Sequence, residues 1–218
     1  MALVRESFPD REAWLRGRTK GIGGSAAAAA VGLSKYQTNT ELWEILTGKR
    51  EGKPLIGNVA VEFGIRAEPV VRELFKLKHP EYKVEYHQFD ILSQSERPFL
   101  RATLDAELLA DTPVRYGADK GILEIKTATL KTKAQWEEWN GQMPQHYYCQ
   151  CCHQLLATGW DYVILFALLM GDRDWTVREF FLDRTDAEDD LKWLLNEEET
   201  FWGYVERNER PPEKLPLI

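Results

Sequence analysis

The chain has 218 residues, a formal net charge of −7, and eight Trp, eight Tyr and nine Phe. This length allows one large domain with a substantial core, and this aromatic content excludes a disordered chain. No run of about 18 apolar residues occurs, so the sequence predicts no membrane-spanning helix. The first residues, Met-Ala-Leu-Val-Arg-Glu, contain no apolar signal region, which favours a cytoplasmic location.

The negative charge is concentrated near the C-terminus. Residues 183–209 contain ten Asp or Glu against three Lys or Arg, which accounts for the whole acidic excess. The remainder is balanced, with 25 residues of each sign. The net charge therefore does not exclude a basic, DNA-facing surface elsewhere. On charge alone, an acidic domain with no nucleic-acid role also remains open.

The first half of the chain is predicted to be mainly helical. The spacing of apolar residues predicts helices over residues 6–17, 26–31, 40–47 and 59–78, separated by loops that include residues 18–25 and 49–57. The longest helix is amphipathic and is expected to end at Pro80. Its predicted inward-facing residues are Phe63, Val70, Val71, Leu74 and Phe75.

The second half alternates strands with helices. Strands are predicted over residues 82–92, 99–109, 120–127, 162–170 and 175–182, with a hairpin connection at 111–117. Helices are predicted over residues 133–140 and 143–158, and Thr185 is expected to cap a last helix. Its periodic apolar residues are Leu191, Leu194, Leu195, Trp202 and Val205. These elements indicate an α/β fold, in which helices flank a mixed central sheet. One domain covers residues 1–210, and residues 211–218 form a tail.

Asp105, Glu124 and Lys126 bear most directly on function. Residues two apart in a strand point to the same side, so Glu124 and Lys126 project together while Ile125 faces the core. Pairing of the strands that hold Asp105 and Glu124 lets the carboxylates and the ammonium meet. Two carboxylates suit Mg²⁺ or Mn²⁺, which lower the pKa of bound water and neutralise charge on a phosphate. The spacing therefore predicts a hydrolytic metal site.

This motif is short, and two charged residues on a half-exposed strand are commonly solvated without any catalytic role. Two further side chains are placed to join the site. Glu68, on the long helix, could be another metal ligand, and an ordinary surface Glu is the alternative. Gln150, on the helix after the Glu-Ile-Lys strand, could hydrogen-bond a phosphate or a metal-bound water, or could pack in a helix interface.

The loop over residues 18–25 has the features of an anion site. Ser25 is expected to cap the following Ala-rich helix, where its hydroxyl and the free backbone N–H groups can bind a phosphate. Two adjacent glycines allow close approach of the backbone, and Arg18 and Lys20 supply positive charge. Ordinary helix capping beside a flexible loop is the alternative. The segment lacks the Gly-Lys-Ser/Thr of a nucleotide-binding P-loop.

All three cysteines lie in Cys149-Gln-Cys-Cys152. Iron–sulfur clusters normally need four thiolates, and a helix directs these sulfur atoms apart. We therefore expect buried, inert thiols and no iron–sulfur cluster.

Taken together, these segments resemble the YqaJ-type viral recombinase family and the related phage lambda exonuclease, within the PD-(D/E)xK nuclease superfamily. The resemblance covers residues 14–182. Five blocks in the same order carry it: Trp14-Leu-Arg-Gly-Arg-Thr-Lys-Gly-Ile-Gly-Gly-Ser25, Glu41-Leu-Trp-Glu44, Gly64-Ile-Arg-Ala-Glu68, Arg101-Ala-Thr-Leu-Asp105 with Leu123-Glu-Ile-Lys126, and Tyr147-Tyr-Cys-Gln150. One departure is Thr-Leu at 103–104, where a small residue followed by Pro is more typical of the family.

The resemblance implies a restriction-endonuclease-like core and a role for each site residue. By that likeness, Mg²⁺ (or Mn²⁺) would be held by three carboxylates and a backbone carbonyl, those of Glu68, Asp105, Glu124 and Ile125. Lys126 would act on the attacking water, and Gln150 would help to position it.

The resemblance also implies contacts with DNA. The residues that fall where the family binds the 5′-phosphate of a DNA end are Arg18, Ser25 and Thr103. Further contacts with DNA are expected from Lys20, Lys35 and Val61. Apolar residues that could separate the terminal base pairs are Ile56, Val59 and Val61.

The implied activity is Mg²⁺-dependent 5′→3′ digestion of one strand of linear double-stranded DNA. It would leave 3′ single-stranded overhangs for phage-type homologous recombination, beside a single-strand annealing protein in the host bacterium's cytoplasm. The family resemblance further implies a ring, usually a homotrimer. The alternatives are another nuclease with the same core (an endonuclease or a single-strand-specific enzyme), or a non-catalytic protein that binds DNA ends.

Overall fold

The computed structural model describes residues 2–52, 58–110 and 120–214. Ile56, the predicted hairpin connection at 111–117 and the last four residues of the predicted tail lie outside these ranges. The described strands are β1 (Leu3–Ser7), β2 (Ile22–Gly23), β3 (Tyr82–Glu85), β4 (Asp90–Gln94), β5 (Arg97–Ala102), β6 (Ala106–Ala110), β7 (Lys120–Thr129), β8 (Tyr162–Met170) and β9 (Trp175–Asp183). The described helices are α1 (Arg11–Arg18), α2 (Gly24–Ala30), α3 (Asn39–Leu46), α4 (Val59–Lys78), α5 (Lys133–Glu137), α6 (Gln145–Thr158) and α7 (Glu188–Glu206).

The larger sheet has the strand order β3-β6-β7-β8-β9. Strands β7 and β8 are parallel, and the other neighbours are antiparallel. Alternate residues of β7 enter two different cores: Leu123 and Ile125 pack against α4, and Ile122 packs in the core that contains α6. Because β8 is buried on both faces, its sequence is a continuous apolar run without alternation. The predicted mixed α/β fold with flanking helices is confirmed.

A second, smaller sheet, which the sequence did not predict, has the order β1-β4-β5-β2. Strand β1 occupies part of the predicted helix over residues 6–17, and α1 starts only after Asp10, whose side chain accepts a hydrogen bond from the Ala13 amide at 2.8 Å. The predicted strands 82–92 and 99–109 were each wrong as single strands, because the chain changes sheets within both. Phe89, with φ of 64°, interrupts the first, and the bend at residues 103–105 interrupts the second.

Helix α6 lies between the two sheets. It contacts β4 and β5 of the smaller sheet and β8 of the larger one, and it also packs against α2 and α7. Nine of its fourteen residues are buried, among them the polar side chains of Gln150, His153 and Gln154. From Cys149 to Leu155 the helix is surrounded on all sides, so the polar residues of this segment must find partners inside the protein.

Helix α4 covers the opposite face of the larger sheet along a narrow stripe. Val71 and Phe75 are buried as predicted, but Phe63, Val70 and Leu74 are exposed, so the prediction of an inward position was wrong for these three. The helix packs mainly on one strand, β7, which leaves room for only one row of side chains. Gly64 allows the close approach, since a Cβ there would lie 3.3 Å from Thr127 Oγ1.

Two predicted helix caps were wrong. Gly23 precedes α2, and Ser25 is the second residue inside that helix, because β2 pairs with β5 through Gly23 and fixes the helix start. Helix α7 follows Ala187, and Thr185 lies in the preceding turn, where its amide donates to Asp183 Oδ1 at 2.7 Å. Within the described ranges, no helix combines the length and apolar character needed to cross a membrane.

Candidate active site

Strand β7 carries the first two site residues, Glu124 and Lys126. As the alternation predicted, both side chains lie on the same face of the sheet, and Lys126 Nζ lies 2.6 Å from Glu124 Oε1. This face is covered by α6, so Glu124 is only 2 % exposed. The interpretation of Glu124 as a solvated residue on a half-exposed strand is therefore wrong. Burying an ion pair is costly unless its remaining hydrogen-bonding capacity is satisfied.

Helix α6 satisfies the Glu124 carboxylate. Gln150 Nε2 donates to Glu124 Oε1 at 2.6 Å, and Gln154 Nε2 donates to Oε2 at 2.5 Å. Gln150 therefore belongs to the site through Glu124, and Gln154, four residues later on the same helix face, belongs to it as well. A carboxylate oxygen can accept two hydrogen bonds. With Lys126 and Gln150 both on Oε1, one lone pair of Oε2 remains open.

Asp105 reaches the site from the bend between β5 and β6. The antiparallel register pairs Ala106 with Leu123, so Asp105 comes next to Glu124 across the two strands. Asp105 Oδ2 accepts a hydrogen bond from the backbone amide of Ile125 at 2.7 Å. The Ile125 side chain is buried on the opposite face, against α4, as predicted. Only the backbone of Ile125 is thus available to the site.

Glu68 approaches from α4 and is held by Arg72, one turn further along the helix. Arg72 Nη2 donates to Glu68 Oε1 at 2.5 Å, and Arg72 Nε donates to the backbone carbonyl of Asp105 at 2.7 Å. The Arg72 guanidinium carbon lies 3.8 Å from the centre of the Tyr86 ring. One buried guanidinium therefore ties Glu68 to Asp105, which no freely solvated surface Glu would show.

The charges of these four residues act on one another. Burial raises the pKa of Asp105 well above its ordinary value, and the carboxylates of Glu124 and Glu68 raise it further. Burial also raises the pKa of Glu68, against the opposing effect of Arg72. Burial would lower the pKa of Lys126, but the Glu124 and Asp105 carboxylates outweigh this effect and raise it. Carboxylates that lie so near to one another need additional positive charge close by when all are ionised.

The donor set fits a divalent metal. Carboxylate and carbonyl oxygens are the ligands of Mg²⁺ and Mn²⁺, and the site offers Glu68, Asp105, Glu124 and the backbone of Ile125. Gln154 Oε1 is buried and finds no partner among the described residues, which leaves an acceptor for a water molecule at the site. The structure thus places the residues that the sequence predicted for the metal in one neighbourhood, where Arg72, Lys126 and the Ile125 amide link them.

Arg72 offers a test that depends on geometry rather than charge. Arg72→Lys keeps the positive charge but cannot hold Glu68 and the Asp105 carbonyl in one fork, so we expect Mn²⁺ affinity to fall by about 10- to 100-fold. Calorimetric titration of the metal-free protein measures this. The control is Lys76→Ala, which removes an exposed ion pair with Glu73 on the same helix. Equal affinities in both variants and the parent protein would contradict a positioning role for Arg72.

Of the predicted phosphate-site residues, Ser25 and Thr103 follow paired strands, and Thr103 is two residues before Asp105. Strand β2 runs parallel to β5, with Gly23 opposite Arg101, so Ser25 and Thr103 follow at the same end of the pair. Arg18 ends α1, and its guanidinium carbon lies 4.7 Å from the centre of the Trp14 ring. Burial lowers the pKa of Arg18, and the charge of Arg11 lowers it further. Among the described residues no carboxylate pairs with Arg18, so its charge is open to an anion.

The three residues predicted to contact DNA are spread over separate elements. Lys20 is exposed in the turn after α1, and Val61 is partly buried in the first turn of α4. Lys35, after α2, pairs with Glu138 at 3.1 Å. Within the described part of the chain, Lys20 and Val61 share no hydrogen bond with the metal-site residues. Their roles stay predictions.

Another acidic group lies on the same side of the larger sheet. Ligand atoms of Glu85, His87 and Glu107 lie within 4.8 Å of one another. Arg5 pairs with Glu107, however, and Lys120 Nζ lies 3.5 Å from Glu107 Oε2. These cations already neutralise the carboxylates, so we interpret the group as an ion-pair cluster.

The three cysteines are free thiols inside α6 and its packing. Burial raises the pKa of Cys152 to about 12, and it also raises the pKa of Cys149 and Cys151. Thiols of such high pKa are poor nucleophiles at neutral pH, in keeping with the expected inert role.

Sequence reasoning missed two polar residues of the site, Arg72 and Gln154. Each lies four positions after a residue that was identified, Glu68 in one case and Gln150 in the other. This spacing puts the two members of each pair on one helix face. A search of the sequence for polar residues four positions from Glu68 and Gln150 could have identified both.

Comparison with known proteins relates most of the chain to one family. A family model described as the YqaJ-like viral recombinase domain matches residues 13–161. The chain is 31% identical over 214 residues to the uncharacterized protein YqaJ of Bacillus subtilis (strain 168), an overlap that includes 92% of this chain. The chain spans 58% of the length of that relative.

Two solved proteins with the same fold are exonucleases. The alkaline exonuclease LHK-Exo of Laribacter hongkongensis, in complex with dAMP, superposes with a TM-score of 0.65 at 19% identity, covering 91% of this chain and 94% of that one. A phage-related exonuclease from Haemophilus somnus 129PT gives a TM-score of 0.52 at 11% identity, covering 86% of this chain and 96% of that one. At these identities the likeness establishes the shared fold.

Proposed function

The chain belongs to the YqaJ-like viral recombinase family, and from this membership we propose that it is a Mg²⁺-dependent 5′→3′ exonuclease. It degrades one strand of linear double-stranded DNA and leaves 3′ single-stranded overhangs for phage-type homologous recombination. The observation that carries this proposal is the meeting of Glu68, Asp105, Glu124 and Lys126 at one place. An acidic cluster with one ammonium, in which amide side chains orient a carboxylate, is suited to metal-dependent hydrolysis of a phosphodiester.

Each side chain of the site has a separate role in the proposed hydrolysis. A divalent cation held by the three carboxylates and the Ile125 carbonyl would make water more nucleophilic and offset charge on the scissile phosphate. Lys126 places its ammonium beside Glu124, where it can orient the attacking water or stabilise negative charge on the phosphate. Gln150 and Gln154 hold the Glu124 carboxylate in one orientation. Arg72 holds Glu68 in the same way.

The phosphate-site residues support the proposed polarity of digestion. A pocket that binds a 5′-phosphate next to the metal centre holds the end of the cleaved strand and excludes the 3′ end from the same place. Arg18 supports this role, because its guanidinium is oriented by Trp14 and free of carboxylate partners among the described residues. Arginine binds phosphate through two parallel hydrogen bonds.

Arg18→Ala tests the pocket. We expect the preference for 5′-phosphorylated over 5′-hydroxyl ends to fall by about tenfold or more, because a charge-assisted contact contributes about 1.5–3 kcal/mol. Initial rates on both kinds of end, measured with radiolabelled duplex, give the ratio. Arg16→Ala, which removes an exposed pair with Glu12 on the same helix, is the control. Equal slowing on both kinds of end would exclude the proposed role of Arg18.

One assay tests the activity itself. Linear duplex labelled at the 5′ or the 3′ terminus is incubated with Mg²⁺ or EDTA, beside a closed circular duplex. We expect Mg²⁺-dependent release of the 5′ label only, and an intact circle. Cutting of the circle would indicate an endonuclease instead. Binding of ends with no nucleotide release under any divalent ion would indicate a non-catalytic protein.

The proposal includes an assembly and a partner. In it, three copies form a ring around duplex DNA, and a phage single-strand annealing protein receives the 3′ strand in the cytoplasm of the host bacterium. The acidic character of α7 supports this arrangement, because its first turn carries Glu188, Asp189 and Asp190 and would face away from DNA on the outside of a ring. Analytical ultracentrifugation of the free protein measures the oligomeric state.

A further inference from the structure

A line of aromatic rings leads from Lys126 to the surface. Lys126 Nζ lies 5.0 Å from the centre of the Tyr147 ring, in the first turn of α6. The rings of Tyr147 and His146 have centres 4.0 Å apart. The ring of His146 in turn meets Tyr36 edge-to-face, with centres 5.7 Å apart and planes at 80°. Tyr36 is therefore connected to the proposed catalytic lysine through two intervening rings.

Tyr36 ends this line in an unusual position for a large aromatic residue. It is 67 % exposed, and its contact with His146 leaves most of the ring facing solvent. Lys35 Nζ lies 5.6 Å from the centre of the same ring. A groove of about 990 Å³ opens beside it, and its walls include Lys35, Glu138 and His146. The ring thus stands largely exposed to solvent, next to the Lys35–Glu138 ion pair and to two residues that line the groove.

We propose that Tyr36 is a stacking platform for an unpaired nucleobase of the strand whose phosphate lies at Lys126. This inference rests on the proposed function and adds a subsite to it. Aromatic side chains stack on any of the four bases, because every base has a π face. A base inside a duplex is covered on both faces by its neighbours, so the platform selects bases that have left the helix. Lys35 would lie near the sugar–phosphate chain of that nucleotide.

This role has a consequence for how a DNA end is opened. Separating the terminal base pair costs stacking and pairing energy, and a base received by Tyr36 regains part of it. Tyr36 should therefore contribute most to the binding and digestion of fully paired ends. It should contribute less at ends whose terminal bases are mismatched, because separating those bases costs little energy.

The test uses a fluorescent base at the 5′ end. Duplexes with 5′-terminal 2-aminopurine, paired or mismatched, are mixed with the protein in Ca²⁺, and stacking is read as quenching of the fluorescence. We expect Tyr36→Ala to lose most of the quenching and to bind paired ends about tenfold more weakly. Tyr36→Phe and Tyr36→Trp retain a ring and should keep both. The control is Trp193→Ala, which removes an exposed aromatic residue on α7.

Digestion in Mg²⁺ separates this inference from the proposed function. Tyr36→Ala should slow digestion of paired ends more than that of mismatched ends, with Trp193→Ala unchanged on both. Unaltered quenching and unaltered rates for Tyr36→Ala, in a protein that digests DNA normally, overturn the platform. A parent protein that releases no nucleotides overturns the proposed function, while loss of quenching in Tyr36→Ala would still support the platform.

Discussion

Lys126→Ala is expected to lower the rate of DNA hydrolysis by about 10²- to 10³-fold at saturating Mg²⁺, which is the typical effect of removing one preorganised group that stabilises transition-state charge. The ammonium of Lys126 is fixed between Glu124 Oε1 and the face of the Tyr147 ring. Nothing else among the described residues places a lysine at this point. Its removal therefore takes away the charge without an obvious substitute.

The same variant should keep or strengthen its affinity for metal. Lys126 competes with a cation for Glu124, so its removal frees one lone pair on Oε1 and removes a nearby positive charge. Mn²⁺ titration of the metal-free protein and single-turnover rates on linear duplex separate the two effects. Lys192→Ala, which breaks an exposed pair with Glu188, is the matched control. Near-normal Mg²⁺-dependent digestion by Lys126→Ala would remove Lys126 from the site.

Asp105→Asn is expected to lower activity by at least about 100-fold, because even partners that only orient a metal ligand contribute 10- to 100-fold. The same change should stabilise the protein in EDTA. Asparagine keeps an oxygen that can accept from the Ile125 amide, but it removes a charge that burial, Glu124 and Glu68 disfavour. The melting temperature in EDTA should rise by a few degrees, since 1 kcal/mol corresponds to about 2–4 °C in a domain of this size.

The pH dependence of stability follows from the same charges. The pKa values of Asp105 and Glu68 are raised in the folded state. Between the ordinary and the raised pKa values, these two groups therefore bind more protons in the native protein than in the unfolded chain. Stability of the metal-free protein therefore falls as pH rises from the ordinary carboxyl range through the raised values. Melting curves against pH in EDTA should show this fall, and Asp105→Asn should reduce it. A parent protein whose stability rises with pH across that window, with Asp105→Asn behaving alike, would contradict the assignment.

The sequence predicted the site better than it predicted the chain path that builds it. Alternation along one strand correctly put Glu124 and Lys126 on one side, because strand periodicity does not depend on what covers the sheet. It could not show that α6 buries that side, since the spacing of charges is the same on a covered and on an open strand. Asp105 was expected along a continuous strand, whereas it lies in a bend between two sheets. The apolar pattern continues through the bend and gives no sign of it.

The position of the long helix was predicted well, and the face that it buries was predicted poorly. Helix α4 spans the predicted residues 59–78, yet Val70 is 69 % exposed where an inward position was expected. Apolar spacing identifies a helix, but only tertiary packing determines how wide a stripe it buries. Arg72 occupies part of that stripe in place of an apolar residue, because its guanidinium has partners there. A search for apolar periodicity cannot detect a buried arginine on a helix, because arginine does not count as apolar.

The chain's crossing from β5 to β6 has a consequence for the size of the product in the proposed reaction. Thr103 and Asp105 are separated by a single residue, so their Cα atoms can be at most about 7 Å apart. If the 5′-terminal phosphate is held near Thr103 and the bond is cleaved near Asp105, these two residues of backbone would set the distance between the terminal phosphate and the cleaved bond. Inserting one residue between them would lengthen the excised piece or stop cutting altogether, and the length distribution of the products would reveal which.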